Sequence, residues 1–386
     1  MPPPWVKRRR PDPTMRFGLM WFNSPTPYAL VDGQAERNPD VLDPQVQARL
    51  ARAAEDAGFD FLFLADRYQV ISDASSRIGH GDPFLAANSW APILMAATSR
   101  IGVATTMHTR YLSPAVIARI GANLDTISGG RWAWNVVPGT VDDELMGVPP
   151  LPHEDRYRYT TEVVGLVKAL WAARGDRVDL SGEFHSLRGR MMGPHIVQQP
   201  APPLFNAGVS DAGLELIAAE CDYGFFTVVD DLAKVRTPVE RIAGLAADRG
   251  RDPHAVTLVG SVGVLVDDDP ARAADRLAEL ERDLDPAAAT GWAQSFLARS
   301  HTYRSTHGDE EIRKTFGLAG GSRVLCGTPQ DVAEQILDVH RQTGLRGFQI
   351  LPLTWSVDEI ARIGNVFAHL ERTGCWEPPA RRDWSW

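Results

Sequence analysis

Two hydrophobic periods alternate along this chain, and that alternation constrains its fold more than any other feature. Short β-like runs recur at Arg16–Phe22, Phe59–Ala65, Arg100–Met107, Arg131–Val137, Pro203–Gly208, Tyr223–Val229, Val256–Val266 and Gly347–Leu353. Between them lie stretches of helical period at Pro44–Ala57, Ala87–Thr98, Pro114–Ile127, Tyr159–Ala173, Ala212–Glu220, Leu232–Asp248 and Pro329–Thr343, with a last one at Val357–Arg372. Several of the runs are apolar throughout, as strands covered on both faces must be, and parallel neighbours need a crossover helix. Eight strands each followed by a helix is the arithmetic of an α/β (β/α)8 TIM barrel, a fold that accommodates a chain of 386 residues. No shift in composition marks an interdomain linker, so residues 15–386 read as one barrel domain.

Two stretches exceed the minimal repeat. Gln69–Pro83 is polar and rich in Gly and Ser; Asp267–Gly321 carries an Ala/Glu/Arg helix and then SHTYRSTHGDEE. Insertions after barrel strands sit over the catalytic face, so both are expected as lid elements, with surface decoration as the plainer alternative. The opening MPPPWVKRRRPDPT has a basic block at Lys7–Arg10 and no apolar period. It reads as a disordered tail, residues 1–14, or as a start placed upstream of a true beginning at Met15.

Composition narrows the function by exclusion. No run of about 18 apolar residues offers a membrane span. Cys221, Cys326 and Cys375 are too few and scattered for a disulfide framework or a zinc site, and the ten histidines lack metal-ligand spacing. A net charge of −9 argues against nucleic acid as the partner. P-loop, GxGxxG after a strand, HExxH and GxSxG are all absent.

In such a barrel, function gathers at the carboxyl ends of the strands. The second run ends in Ala65-Asp66-Arg67 and the third in Thr105-Thr106-Met107-His108-Thr109. The fourth carries Asn135, out of phase with Trp132 and Trp134, and Gly139 permits a tight turn after it. Asn135 is therefore expected to face the barrel mouth while the indoles pack outward. The fifth run opens through Asn206-Ala207-Gly208-Val209-Ser210-Asp211 into a helix, where small residues admit a ligand to the backbone and free N–H groups suit phosphate. Ser210 reads equally as a plain N-cap. Arg156 and Tyr157, in EDRYRY before another helix, can clamp the same phosphate, although Arg156 alone reads as a solvated charge.

Together, GFDFLFLADR, ATTMHTRYLSPAVIARIGANLDTISGGRWAWNVVPG, EDRYRY and PPLFNAGVSDAGLELIAAECDYGF resemble the bacterial luciferase-like flavin-dependent monooxygenases. The nearest branch contains the pyrimidine, dibenzothiophene-sulfone, nitrilotriacetate, alkanesulfonate and dimethylsulfone monooxygenases. The resemblance spans about Met15 to Arg372. It implies a cytoplasmic two-component enzyme, a homodimer or homotetramer, that receives reduced FMN from a separate flavin reductase. Dioxygen would be activated through a flavin-peroxide, and a small organic substrate oxygenated, with C–N, C–S or ring cleavage among the outcomes. By matching positions, Asp66 and Arg67 lie against the isoalloxazine, Asn135 contacts its edge, and Arg156, Tyr157 and Ser210 hold the phosphate end. Thr106 and Asn135 match the pair that forms the oxygen pocket, where a hydroxyl and an amide hydrogen-bond an anion without readily giving it a proton.

Departures from the family pattern bear on the substrate. Pro138 and Thr140 occupy a turn about two residues shorter than in the pyrimidine branch, and His108 replaces a small residue. His108 is thus either an acid/base group beside the substrate or a structural histidine at a strand end. Two other readings remain: a deazaflavin- or FMN-dependent hydride-transfer oxidoreductase of the same superfamily, and a non-catalytic flavin-binding barrel.

Overall fold

The computed structural model describes residues 14–139, 142–297 and 316–382, with side chains 296–297 excepted. The tail up to Pro13, Thr140 and the SHTYRSTHGDEE segment lie outside the described residues.

All eight expected strands are present, and they close. They are β1 (Arg16–Met20), β2 (Phe61–Leu64), β3 (Gly102–His108), β4 (Trp132–Val137), β7 (Leu204–Asn206), β8 (Tyr223–Thr227), β9 (Thr257–Val266) and β11 (Gly347–Pro352). Each pairs in parallel with the next, and β8–β9, β9–β11 and β11–β1 complete the ring. The barrel predicted from periodicity is thus the barrel observed.

Three strands were not legible. β5 (Val178–Ser181) and β6 (Ser186–Gly189) form an antiparallel hairpin of four residues a strand, in which half-buried Val178, Leu180 and Leu187 alternate with exposed polar side chains. β10 (Val324–Gly327) pairs with Gly263–Val266 alone, because the ten-residue β9 outruns its partners in the barrel.

Alternation along the strands divides the core. Phe61, Phe63, Ala104, Ala133, Phe205, Tyr223 and Val259 fill the barrel interior, with Phe205 stacked on Tyr223 at 4.3 Å. Trp132 and Trp134 point the other way and meet Trp171 of the helix His153–Ala173 edge to face. Asn135 shares the parity of Ala133 and faces inward, as its phase predicts. The helix Pro114–Ser128 presses close against this layer: a Cβ on Gly121 would lie 2.5 Å from the Trp132 ring. Its ends follow local rules, with Ser113 capping the Val116 N–H, Pro114 in the first turn and Gly129 left-handed at the close.

The two insertions meet. The short helix Asp73–Arg77 of the first packs on the helix Pro286–Leu297 of the second, where a Cβ on Gly291 would collide with Ser72. Arg77 pairs with Asp285, and bridges Ala29–Leu318 and Val31–Leu284 lace the second insertion to the segment after β1.

Candidate active site

Thr106 lies on the inward face of β3 and is 2% exposed. Its hydroxyl donates to the Leu64 carbonyl at 2.9 Å and accepts from Asn135 Nδ2 at 2.9 Å. Because a carbonyl only accepts, the threonine proton is committed, and the orientation of the Asn135 amide follows from it. Asn135 Oδ1 is then left buried without a partner. Asn88 repeats the pattern: Nδ2 donates to the Thr106 carbonyl at 3.1 Å, and Oδ1 is buried and unpartnered. Two unpartnered acceptors around one threonine are costly in a folded protein and call for N–H or O–H donors from water or a ligand. In this arrangement the hydroxyl proton is engaged by the Leu64 carbonyl. Only the amide retains a free hydrogen.

His108 comes two residues further along the same face. It is 5% exposed, stacks on Tyr111 at 4.9 Å and meets Tyr68 at 5.5 Å. Burial pushes its pKa down to about 4, with Asp143 acting weakly the other way. The imidazole is therefore neutral near pH 7 with Nδ1 unpartnered.

At the end of β2, Asp66 Oδ1 accepts from the Arg67 N–H and Oδ2 from the Ala87 N–H, at 2.9 and 3.0 Å. Burial pushes its pKa up to about 6; those two bonds oppose the rise and the Asp142 charge adds to it. The Arg67 guanidinium lies over the Trp292 ring, 5.3 Å from its centroid.

A second cluster forms where two helices begin. Ser210 caps the helix Asp211–Glu220, accepting from the Gly213 N–H at 3.2 Å. Its Oγ lies 2.9 Å from His153 Nε2 and hydrogen-bonds Tyr157. Arg156 Nη2 lies 3.2 Å from His153 Nδ1. Arg156 and Tyr157 stand inside the first turns of the helix His153–Ala173, not before it. That part of the helix is polar, so apolar periodicity starts it too late. His153, Arg156 and Tyr157 share one face at i, i+3 and i+4. His153 is the member that sequence reasoning missed, although the HEDRY spacing carried the signal.

Gly208 completes this cradle: a Cβ there would lie 2.6 Å from Tyr157 Oη and 2.7 Å from Gly213 Cα. Asn206, also missed, links the cradle to β4. Its Nδ2 donates to the Val136 carbonyl and its Oδ1 accepts from the Gly208 N–H, both at 2.8 Å. After β4, Gly139 has φ +77° against the Tyr111 ring, the tight turn its sequence position predicts.

The candidate site thus has a buried, uncharged polar group around Thr106 and a second polar cluster at two helix starts. Among the described residues no cluster of three or more His, Cys, Asp and Glu could hold a metal, and no helix is long and apolar enough to cross a membrane.

Residues 15–346 match the family model described as luciferase-like monooxygenase. The chain is 28% identical over 304 residues to an FMNH2-dependent dimethylsulfone monooxygenase of Pseudomonas putida, covering 76% of this chain and 79% of that one. Nitrilotriacetate monooxygenase component A of Aminobacter aminovorans is 26% identical over 398 residues, covering 86% and 87%. Among solved structures, a long-chain alkane monooxygenase matches with TM-score 0.84 at 19% identity over 94% and 92% of the two chains. An F420-dependent secondary alcohol dehydrogenase matches with TM-score 0.67 at 17% identity over 92% and 99%. These last two likenesses establish the barrel and nothing finer.

Proposed function

The chain belongs to the luciferase-like monooxygenase family, and from that membership we propose that it is a two-component monooxygenase using reduced FMN from a separate reductase. The residues fit the cofactor at both ends. The unpartnered Oδ1 atoms of Asn135 and Asn88 suit the N–H donors of an isoalloxazine edge. Ser210, Tyr157, Arg156 and His153 around Gly208 suit a phosphate at a helix start. Bound reduced FMN would supply the electrons that activate dioxygen.

The protein's own part is to orient, to exclude water and to withhold protons. With the Thr106 proton given to Leu64, the second Nδ2 hydrogen of Asn135 is the donor left to an oxygen anion in the pocket. An amide N–H stabilises such an anion and is far too weak an acid to protonate it. Neutral His108 likewise offers no readily released proton near pH 7. The two insertions, which meet each other and reach Arg67 at the end of β2, would shield the barrel mouth from water in this reading.

The single observation that carries this reading is the Asn135–Thr106–Leu64 relay with its stranded amide oxygen. The test supplies the protein with FMN, NADH and a flavin reductase under 18O-labelled dioxygen, against sulfones, amides and nitrogen heterocycles. One labelled atom in product is expected, with Asn135→Ala and Thr106→Val folding normally but losing oxygenation. Normal turnover by both variants would remove the oxygen-pocket assignment. Tighter binding of reduced F420 than of reduced FMN, with hydride transfer in place of oxygenation, would favour the hydride-transfer reading.

A further inference from the structure

Arg67 is gripped from both insertions. Its guanidinium carbon lies 5.3 Å from the Trp292 ring centroid, on the helix Pro286–Leu297 of the second insertion. In the first insertion, His80 meets the same indole edge to face at 5.3 Å, and a Cβ on Gly81 would stand 3.8 Å from Arg67 Nη1. His80 Nδ1 lies 2.7 Å from the Thr26 carbonyl, so Nδ1 carries a proton and donates it there. Burial pushes its pKa to about 4, and the nearby Arg67 charge adds to that fall. An indole face, a neutral imidazole and a glycine orient a cation without neutralising it.

The indole is itself fixed. Ala288 and Ala289 of its helix are buried against Leu30 and Ile78, Asp285 caps the Ala288 N–H at 2.8 Å, and Arg77 pairs with Asp285. An arginine side chain left to itself loses rotamer freedom when it meets a ligand, and a pre-formed seat removes that loss.

We propose that Trp292 is a positioning residue for the cofactor, holding the Arg67 guanidinium by a cation–π contact in the orientation that receives the flavin. The inference rests on the reading of Arg67 as a flavin contact, and makes the second insertion part of the cofactor site as well as a cover. Loss of the aromatic face should weaken reduced-FMN binding about 3- to 30-fold, the span of a cation–π contact from exposed to desolvated.

The test is a double-mutant cycle on the full chain, read as the dissociation constant for reduced FMN under anaerobic conditions. Trp292→Leu should weaken binding in the wild-type background and have little further effect in Arg67→Leu, while Trp292→Phe restores most of the affinity. Tetrafluorotryptophan placed at position 292 alone keeps the shape of the ring and empties its face of negative potential. It should reproduce the loss with an unchanged melting temperature, so the test holds even where the leucine variant fails to fold. Undiminished affinity with the fluorinated ring, or equal effects of Trp292→Leu in both backgrounds, would overturn the proposal. Unchanged affinity in Arg67→Leu alone would instead overturn the placement of Arg67 at the flavin, and the proposal with it.

Discussion

At the scale of single residues, the chemistry turns on which polar atoms are left without partners and which groups are kept neutral. Asn135 and Thr106 are ordinary residue types whose meaning comes from one proton, the one Thr106 gives to Leu64. Asp66 is the group at the mouth whose charge changes near neutrality. Its carboxyl, raised to about 6, is ionised above that pH and protonated below it. If the carboxylate accepts from the flavin, reduced-FMN affinity should strengthen as pH rises through 6, and Asp66→Asn should abolish that dependence. Measuring the difference between wild type and variant cancels the flavin's own ionisation; parallel pH curves for the two would refute the contact. His108, held neutral down to about 4, should add no inflection to activity between pH 5 and 8, and His108→Gln should leave the profile shape unchanged there. The candidates Thr106, Asn135, Asp66 and Ser210 were legible because strand ends and helix starts are readable. The neutrality of His108 was not, since desolvation is a property of everything packed around a side chain.

At the scale of elements, the proposed phosphate end is made by two helix starts and the turn that joins one of them to β7. Gly208 is needed because Tyr157 Oη and Gly213 Cα occupy the space of a side chain. Gly208→Ala should displace one of them and weaken FMN binding by about tenfold or more, as overpacking of 1–3 kcal/mol would. Riboflavin, which lacks the phosphate, should bind both proteins nearly alike. Ser210→Ala should cost about 1 kcal/mol for FMN and little for riboflavin, as a lost hydrogen bond at a helix start does. Equal losses for the two flavins would return Ser210 to the role of a plain cap. The sequence placed the helix Asp211–Glu220 within one residue, because Ser210 and the apolar period agree. It began the helix His153–Ala173 six residues late, because His153 to Arg158 face the site and solvent, where no apolar signal exists.

At the scale of the whole molecule, the barrel and its insertions bury two histidines neutral, His80 and His108. Each has its pKa lowered on folding, so the unfolded chain binds the extra proton first. Stability is therefore intact above the unfolded value near 6.5 and declines as pH falls toward 4. Each histidine should cost about 2 kcal/mol between pH 7 and pH 5. Asp66, whose pKa is raised, works in the opposite sense below 6 and offsets part of this. Urea unfolding at the two pH values should show His108→Gln losing about 2 kcal/mol less than wild type. An identical loss would mean that the buried imidazole is not the source.

The sequence by itself determined the barrel, since a period of two alternating with a period of 3.6 leaves few ways to bury both faces of each strand. It also determined which face of β4 looks inward, and so that Asn135 meets the mouth; that Thr106 and His108 share that face of the barrel is read from the structure. Tertiary structure alone decided how the mouth is finished. Arg77 meets Asp285 across 208 residues of chain, and Trp292 reaches Arg67 by the same packing of one insertion on the other. Such contacts leave no periodic trace, because each depends on where a distant loop comes to rest. The unpartnered amide oxygens of Asn88 and Asn135 and the neutral imidazoles of His80 and His108 likewise depend on burial that only the folded chain creates.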